Sequence, residues 1–185
     1  TTTASGNVTN NTLTFKNVGY TKELYGGLTF GTGNVTGNRV TVNPATGTLL
    51  STADGIFGGL ANGGGSVENN HAEFNGNQLN GDLVGGMTKG TGTGIVKGNT
   101  ATLKGGNVNG KDILGGQAVY GANGDVSHNT ATLESGSARD IYGGYTDGTG
   151  NVTHNTATIK DGSTGNVYGG HTTGSGKVTN NIVTI

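Results

Sequence analysis

Apolar positions return along this chain in a fixed phrase. Seven ten-residue segments align: GNVTNNTLTF from Gly6, GNVTGNRVTV from Gly33, GSVENNHAEF from Gly65, GIVKGNTATL from Gly94, GDVSHNTATL from Gly124, GNVTHNTATI from Gly150 and GKVTNNIVTI from Gly176. A second apolar block sits between consecutive copies: LYGG at Leu24, IFGG at Ile56, LVGG at Leu83, ILGG at Ile113, IYGG at Ile141 and VYGG at Val167. One unit therefore takes roughly 26–32 residues, a period typical of solenoids. No stretch of useful length has helical periodicity. The pattern predicts an all-β parallel β-helix, or β-solenoid, of about seven coils.

Alternation assigns faces within the first block, because successive strand residues point to opposite sides. In the sixth copy Asn155, Ala157 and Ile159 point inward, and Thr156 and Thr158 point outward. Val152 lies three places before the Asn and breaks the period of two. Both face inward only if the chain turns a corner around Thr153 and His154. Each unit is thus expected to be a bent coil, with equivalent residues about 4.8 Å apart on neighbouring coils.

The inward Asn has no exception: Asn11, Asn38, Asn70, Asn99, Asn129, Asn155 and Asn181. A carboxamide carries two N–H donors and an acceptor oxygen, so one amide per coil can bond its neighbours and the turn backbone. This column is predicted to be a structural asparagine ladder that satisfies polar groups otherwise costly to bury. The Gly-Gly pair after each second block allows positive φ or close backbone approach and reads as another corner. No following helix is signalled, which argues against a phosphate cradle.

Composition agrees with many short strands and tight turns. The 185 residues include 40 Gly and a single Pro, only 30% are hydrophobic and only 11% charged. A disordered chain would be richer in charge and proline. The net charge of −1 offers no basic surface for a phosphate backbone, so nucleic acid is not an expected partner. There is no cysteine, which excludes disulfides, thiol catalysis and zinc-thiolate sites. No apolar run approaches the ~20 residues of a membrane helix, and no signal-peptide pattern stands at the N-terminus. The leading TTTAS and the end at Ile185 supply no cap for an open stack. Residues 1–185 are therefore expected to be one solenoid segment excised from a longer array. Asn43 to Gly55, with the sole proline Pro44, makes the longest excursion between blocks and is the expected protrusion.

The phrases GNVTHNTATIKDGSTGNVYGGHTTG and NTATLESGSARDIYGGYTDGTG resemble passenger-domain repeats of large autotransporter (type V secreted) adhesins of Gram-negative bacteria. The resemblance covers nearly the whole chain and rests on repeat phrasing. It implies a β-helical passenger on the cell surface, outside the outer membrane, or secreted. It further implies adhesion, autoaggregation or biofilm formation, with a host-cell protein, a glycan or another copy of the chain as partner. The family's translocator barrel is not in this sequence. Trimeric autotransporter heads have a shorter repeat, and the calcium-binding nonapeptide solenoid needs an Asp that GGGSVENN lacks.

Three features bear on chemistry. An acidic column precedes the second block: Glu23, Asp82, Asp112 and Asp140, with Gly55 and Asn166 at the equivalent places. Clustered carboxylates on a β-helix suit glycoside acid–base chemistry. Lys22, Lys111 and Arg139 directly precede three of the acids, however, which favours a charge-compensated turn and no catalytic centre. Outward threonines form a T-x-T array at Thr100/Thr102, Thr130/Thr132 and Thr156/Thr158, an ice-binding pattern interrupted by Arg39, His71 and Glu73. Tyr25, Phe57, Tyr142 and Tyr168 share a column with Val84 and Leu114. Facing outward, that column is an aromatic stripe able to stack on sugars; facing inward, it is core. The aliphatic column from Leu24 to Val167 competes for the inward position. His128 and His154 share a turn position, but two ligands make no proper metal site, and no cofactor is expected. The N-x-T triplets at Asn7, Asn34 and Asn151 follow from the repeat phrase.

Overall fold

The computed structural model describes residues 5–16, 22–43 and 55–185. The expected protrusion at Asn43–Gly55 falls on 44–54, outside the described residues. All regular structure among the described residues is β, and no helix there is long and apolar enough to cross a membrane.

The chain winds as a right-through stack of three parallel sheets. Sheet 1 consists of two-residue strands, each starting at the Val of the first block: Val8–Thr9, Val35–Thr36, Val67–Glu68, Val96–Lys97, Val126–Ser127, Val152–Thr153 and Val178–Thr179. Sheet 2 follows the Asn and holds Thr12–Phe15, Arg39–Val42, His71–Leu79, Thr100–Val108, Thr130–Leu133, Thr156–Ile159 and Ile182–Thr184. Sheet 3 carries the second block in Glu23–Thr29, Gly55–Ala61, Leu83–Lys89, Ile113–Val119, Ile141–Thr146 and Val167–Thr172. Each strand pairs in parallel with its counterpart one coil away, in the register the repeat alignment predicts, as in Ala101↔Ala131 and Ile113↔Ile141. With seven strands in sheets 1 and 2 but six in sheet 3, the solenoid makes six complete turns and begins a seventh. Seven copies of the first block thus correspond to one complete turn fewer than seven.

The corner between sheets 1 and 2 sits one residue before the ladder Asn. That position is left-handed in every copy: Asn10 (φ 54), Gly37 (67), Asn69 (55), Gly98 (66), His128 (56), His154 (56) and Asn180 (56). Such a conformation crowds Cβ against the carbonyl and is tolerated best by Gly, Asn and His. The apparently free variation among those three residue types is therefore a conformational requirement.

The ladder itself is one-directional. Asn38 Nδ2 donates to Asn70 Oδ1 (3.0 Å), Asn70 to Asn99 (3.0 Å), Asn99 to Asn129 (3.0 Å), Asn129 to Asn155 (2.9 Å) and Asn155 to Asn181 (3.0 Å). The same acceptor oxygen takes the preceding Asn backbone N–H, as in Asn70 N to Asn99 Oδ1 (2.9 Å). The second Nδ2 hydrogen reaches the Val carbonyl of the preceding coil, for example Val67 O from Asn99 (2.8 Å). Asn99, Asn129 and Asn155 are fully buried, and these bonds are what makes that burial affordable.

The Gly-Gly pairs are not a corner. They lie mid-strand in sheet 3, and none has a positive φ. Their cause is close approach across the interior. A Cβ on Gly86 would fall 2.4 Å from Asn99 Cγ, and one on Gly85 would fall 2.6 Å from the Thr100 backbone carbonyl carbon. Both glycines turn their missing side chains inward, so the Asn ladder spans the coil and touches the opposite strand. The interior is thereby divided. On one side lie the aliphatic column Leu24, Ile56, Leu83, Ile113 and Ile141 and the sheet 2 residues such as Phe74, Leu103 and Leu133. On the other, the sheet 1 valines pack with small residues that end sheet 3, such as Ala61 and Ala118.

Candidate binding groove on the third sheet

The competition between the two apolar columns of sheet 3 has a definite outcome. The aliphatic column faces the interior, so Tyr25, Phe57, Val84, Leu114, Tyr142 and Tyr168 face away from it. All but Tyr168, which stacks on Tyr142, belong to a separate cluster with Leu28, Leu60, Met87, Val119 and Tyr145 that includes no residue of sheets 1 or 2. The paired inward glycines explain the company. They displace the alternation by one, so the residue three places after the aromatic returns to the same face. Sheet 3 thus presents two adjoining outer columns: the aromatic one, and Leu28, Leu60, Met87, Gln117, Tyr145 and His171. Phe57, Val84 and Leu114 are buried at 4%, 0% and 3% exposure, whereas Tyr25, Tyr142, Tyr145, Tyr168 and His171 stay half-buried.

Rings dominate the fifth and sixth coils. Tyr142 stacks on Tyr168 with centroids 5.0 Å apart and planes 11° from parallel, and Tyr145 stacks on His171 at 5.7 Å and 17°. Tyr142 meets Tyr145 edge-on at 5.7 Å. Stacking at the coil spacing points the ring faces along the solenoid axis. The opposite faces of Tyr142 and Tyr145 therefore turn to their partners one coil earlier, Leu114 and Gln117, and both rings pack against the cluster that contains Leu114. At the other end Tyr25 stacks on Phe57 (5.3 Å). Where the column narrows between these ring pairs there is a depression. One part, of about 290 Å³, is lined by Asp82, Asp112, Leu114, Gln117, Tyr142 and Tyr145, with Arg139 at its edge. A contiguous part of about 390 Å³ shares Asp82, Gln117 and Tyr145 and extends to Lys89, Tyr120 and Asp147. Tyr120 is 72% exposed, is held at φ 57 and has Lys89 Nζ 5.4 Å from its ring centre.

The acidic column borders this groove, and most of its oxygens already have backbone or guanidinium partners. Asp82 Oδ1 accepts the Asp112 N–H (2.9 Å), and Asp140 Oδ1 accepts the Asn166 N–H (2.7 Å). Arg139 grips Asp112 from one coil away through Nε (2.9 Å) and Nη2 (2.5 Å). Glu23 accepts a hydrogen bond from the Tyr25 hydroxyl. Arg139 thus compensates two acids, Asp112 across coils and, at 3.9 Å, the Asp140 it precedes, while Lys22 and Lys111 make no ion pair among the described residues. Burial pushes the Asp82 carboxyl above the ordinary range, a neighbouring Asp112 adds to this, and the Asp112 N–H opposes it. Tyr142 is pushed up to about 12, first by burial and then by Asp140 and Asp112.

Elsewhere the candidate residues have structural roles or remain scattered. The threonine array stands in register on sheet 2 over three coils, Thr100↔Thr130↔Thr156 and Thr102↔Thr132↔Thr158. It meets a charged cluster at its edge, where Glu73 lies 3.5 Å from Arg39, 3.3 Å from Lys104 and 3.5 Å from His71. His128 and His154 stack face to face at 5.1 Å, and no group of three His, Asp or Glu suited to a metal occurs among the described residues. The Asn residues of the N-x-T triplets brace the coils: Asn7 Oδ1 accepts the Asn34 N–H (2.9 Å), and Asn151 Oδ1 the Lys177 N–H (3.1 Å). Sequence reasoning missed Gln117, Tyr145 and His171. The signal was the fixed place immediately after Gly-Gly, whose facing is legible only once both glycines are known to point inward.

The fold and groove define a repetitive parallel β-solenoid with one chemically differentiated face. No known family model, no curated protein and no solved structure matches the chain.

Proposed function

We propose that this chain is a segment of a bacterial surface adhesin, of the autotransporter passenger kind displayed on Gram-negative cells or released from them. In this reading the solenoid is a stiff spacer and its third sheet is the contact surface, acting in adhesion, autoaggregation or biofilm formation. Its partner is a host-cell protein or glycan, or a second copy of the chain. The observation that carries the reading is the asymmetry of the faces. Sheet 3 combines half-exposed stacked rings, carboxylates and a groove, on a frame locked by the Asn ladder. Aromatic rings beside a few directed polar groups are the usual make-up of contact sites.

Sedimentation velocity of the purified chain across a concentration series, with and without added polysaccharides, tests this. Reversible assembly or a ligand-dependent shift is the expected outcome. A strictly monomeric chain that shifts with no polysaccharide would leave only a passive spacer.

A second reading, a carbohydrate-active enzyme, is favoured by one observation: Asp82 sits in the groove with its carboxyl held toward the protonated form. Against it, Asp112 is paired with Arg139 and Asp140 braces the next coil, so neither is poised as a partner acid or base. We therefore take the chain to bind without catalysing. Cleavage of an oligosaccharide that is abolished in Asp112→Asn would reverse that judgement.

A further inference from the structure

We infer that the groove between Leu114 and Tyr142 is a binding site for a neutral, hydroxyl-rich glycan. The inference deepens the adhesin reading and rests on sheet 3 being its contact face.

Two kinds of group converge on this groove with nothing else to do. Asp82 Oδ1 is occupied by the Asp112 N–H, but Asp82 Oδ2 has no hydrogen-bond partner among the described residues. The half-exposed Gln117 carboxamide, which offers both donors and an acceptor, makes no hydrogen bond there either. Beside them in the groove are the Tyr142 and Tyr145 rings, half-buried against the cluster around Leu114 and stacked from the other side by Tyr168 and His171. A pyranose has this same duality, with an apolar C–H face and a rim of hydroxyls. Rings take the face, and a carboxylate with an amide takes the hydroxyls.

Charge selects within the glycans. The Arg139 guanidinium is spent on both Asp112 oxygens, and Lys89 leans over Tyr120. Glu23, Asp82, Asp112 and Asp147 line the two parts of the groove against Lys89 and Arg139. A carboxylated or sulfated sugar would meet net repulsion from these carboxylates.

Calorimetric titration with oligomers of neutral β-glucan and mannan, and with heparin and polygalacturonate oligomers, tests the inference. Two variants accompany the native chain. Gln117→Ala shortens a half-exposed side chain, and Asp82→Asn keeps an oxygen to accept the Asp112 N–H. Circular dichroism checks that both are folded. Binding of at least one neutral oligomer, weakened about tenfold or more by each variant, is the expected result. Neutral binding that both variants leave intact would overturn the site. Binding confined to the acidic oligomers, or to none, would overturn the ligand class. If the chain then still self-associates, the adhesin reading stands while this inference falls.

Discussion

Removing one rung from the middle of the asparagine ladder should cost far more than removing the first. The Asn99 side chain takes part in four hydrogen bonds. It donates to Val67 O (2.8 Å) and Asn129 Oδ1 (3.0 Å), and it accepts from the Asn70 N–H (2.9 Å) and Asn70 Nδ2 (3.0 Å). Asn99→Ala deletes all four and leaves the Asn70 N–H buried with no acceptor. At about 1 kcal/mol per bond, with the orphaned donor adding to the loss, the expected destabilisation is about 3–5 kcal/mol. Asn11, by contrast, is exposed, donates to Thr9 O and Asn38 Oδ1, and accepts from no other rung. Asn11→Ala should cost less than about 1 kcal/mol. Urea unfolding followed by far-ultraviolet circular dichroism compares the two, and amide exchange at Asn70 gives the local readout. Equal midpoints, or unchanged protection at Asn70 in Asn99→Ala, would refute the role assigned to the ladder.

Three further outcomes follow from the same geometry. Gly86→Ala should destabilise by about 1–3 kcal/mol as overpacking against the Asn99 side chain, and the cost should largely vanish in an Asn99→Ala background. Gly85→Ala meets backbone atoms instead and should show no such rescue in the same unfolding measurements. His154→Val places a β-branched residue at φ 56 and should lower stability by about 1–2 kcal/mol relative to His154→Gly, measured by thermal unfolding. Because the folded state raises the Asp82 pKa, it holds that proton more tightly than the unfolded chain does. Ionised Asp82 therefore weakens the fold as pH rises through the raised value. Asp82→Asn should be the more stable protein at neutral pH, with the advantage shrinking as pH falls through that range; a constant difference across a pH series of melts would contradict this.

The frame was legible because the solenoid imposes its repeat directly on the sequence. The Val, the Asn and the alternating apolar residues fix the corner, the ladder and sheet 2, and coil lengths of 26 to 32 residues reappear as the Asn-to-Asn separations. Gly-Gly was misread because a glycine required by close approach looks the same, in one dimension, as a glycine required by a turn. Only the position of Asn99 across the interior distinguishes them. That error concealed the facing of the next residue, and with it Gln117, Tyr145 and His171. Of the three cations that precede the acidic column, only Arg139 pairs with it, and Asp82 and Asp140 brace adjacent coils through backbone N–H groups. The cross-coil reach of Arg139 to Asp112 depends on geometry between coils that one repeat does not encode.

The most direct test of sheet 3 as the contact surface compares faces on living cells. The chain is displayed on a bacterium without adhesins of its own, and attachment to glycan-coated surfaces and cell-to-cell aggregation are counted. One variant carries Gln117→Arg and Tyr145→Arg on sheet 3, and the other Thr130→Arg and Thr156→Arg on sheet 2. Adhesion by the native chain, lost only with the sheet 3 pair, is the outcome this account predicts. Absence of adhesion by the native chain, or equal loss from the sheet 2 pair, would contradict it.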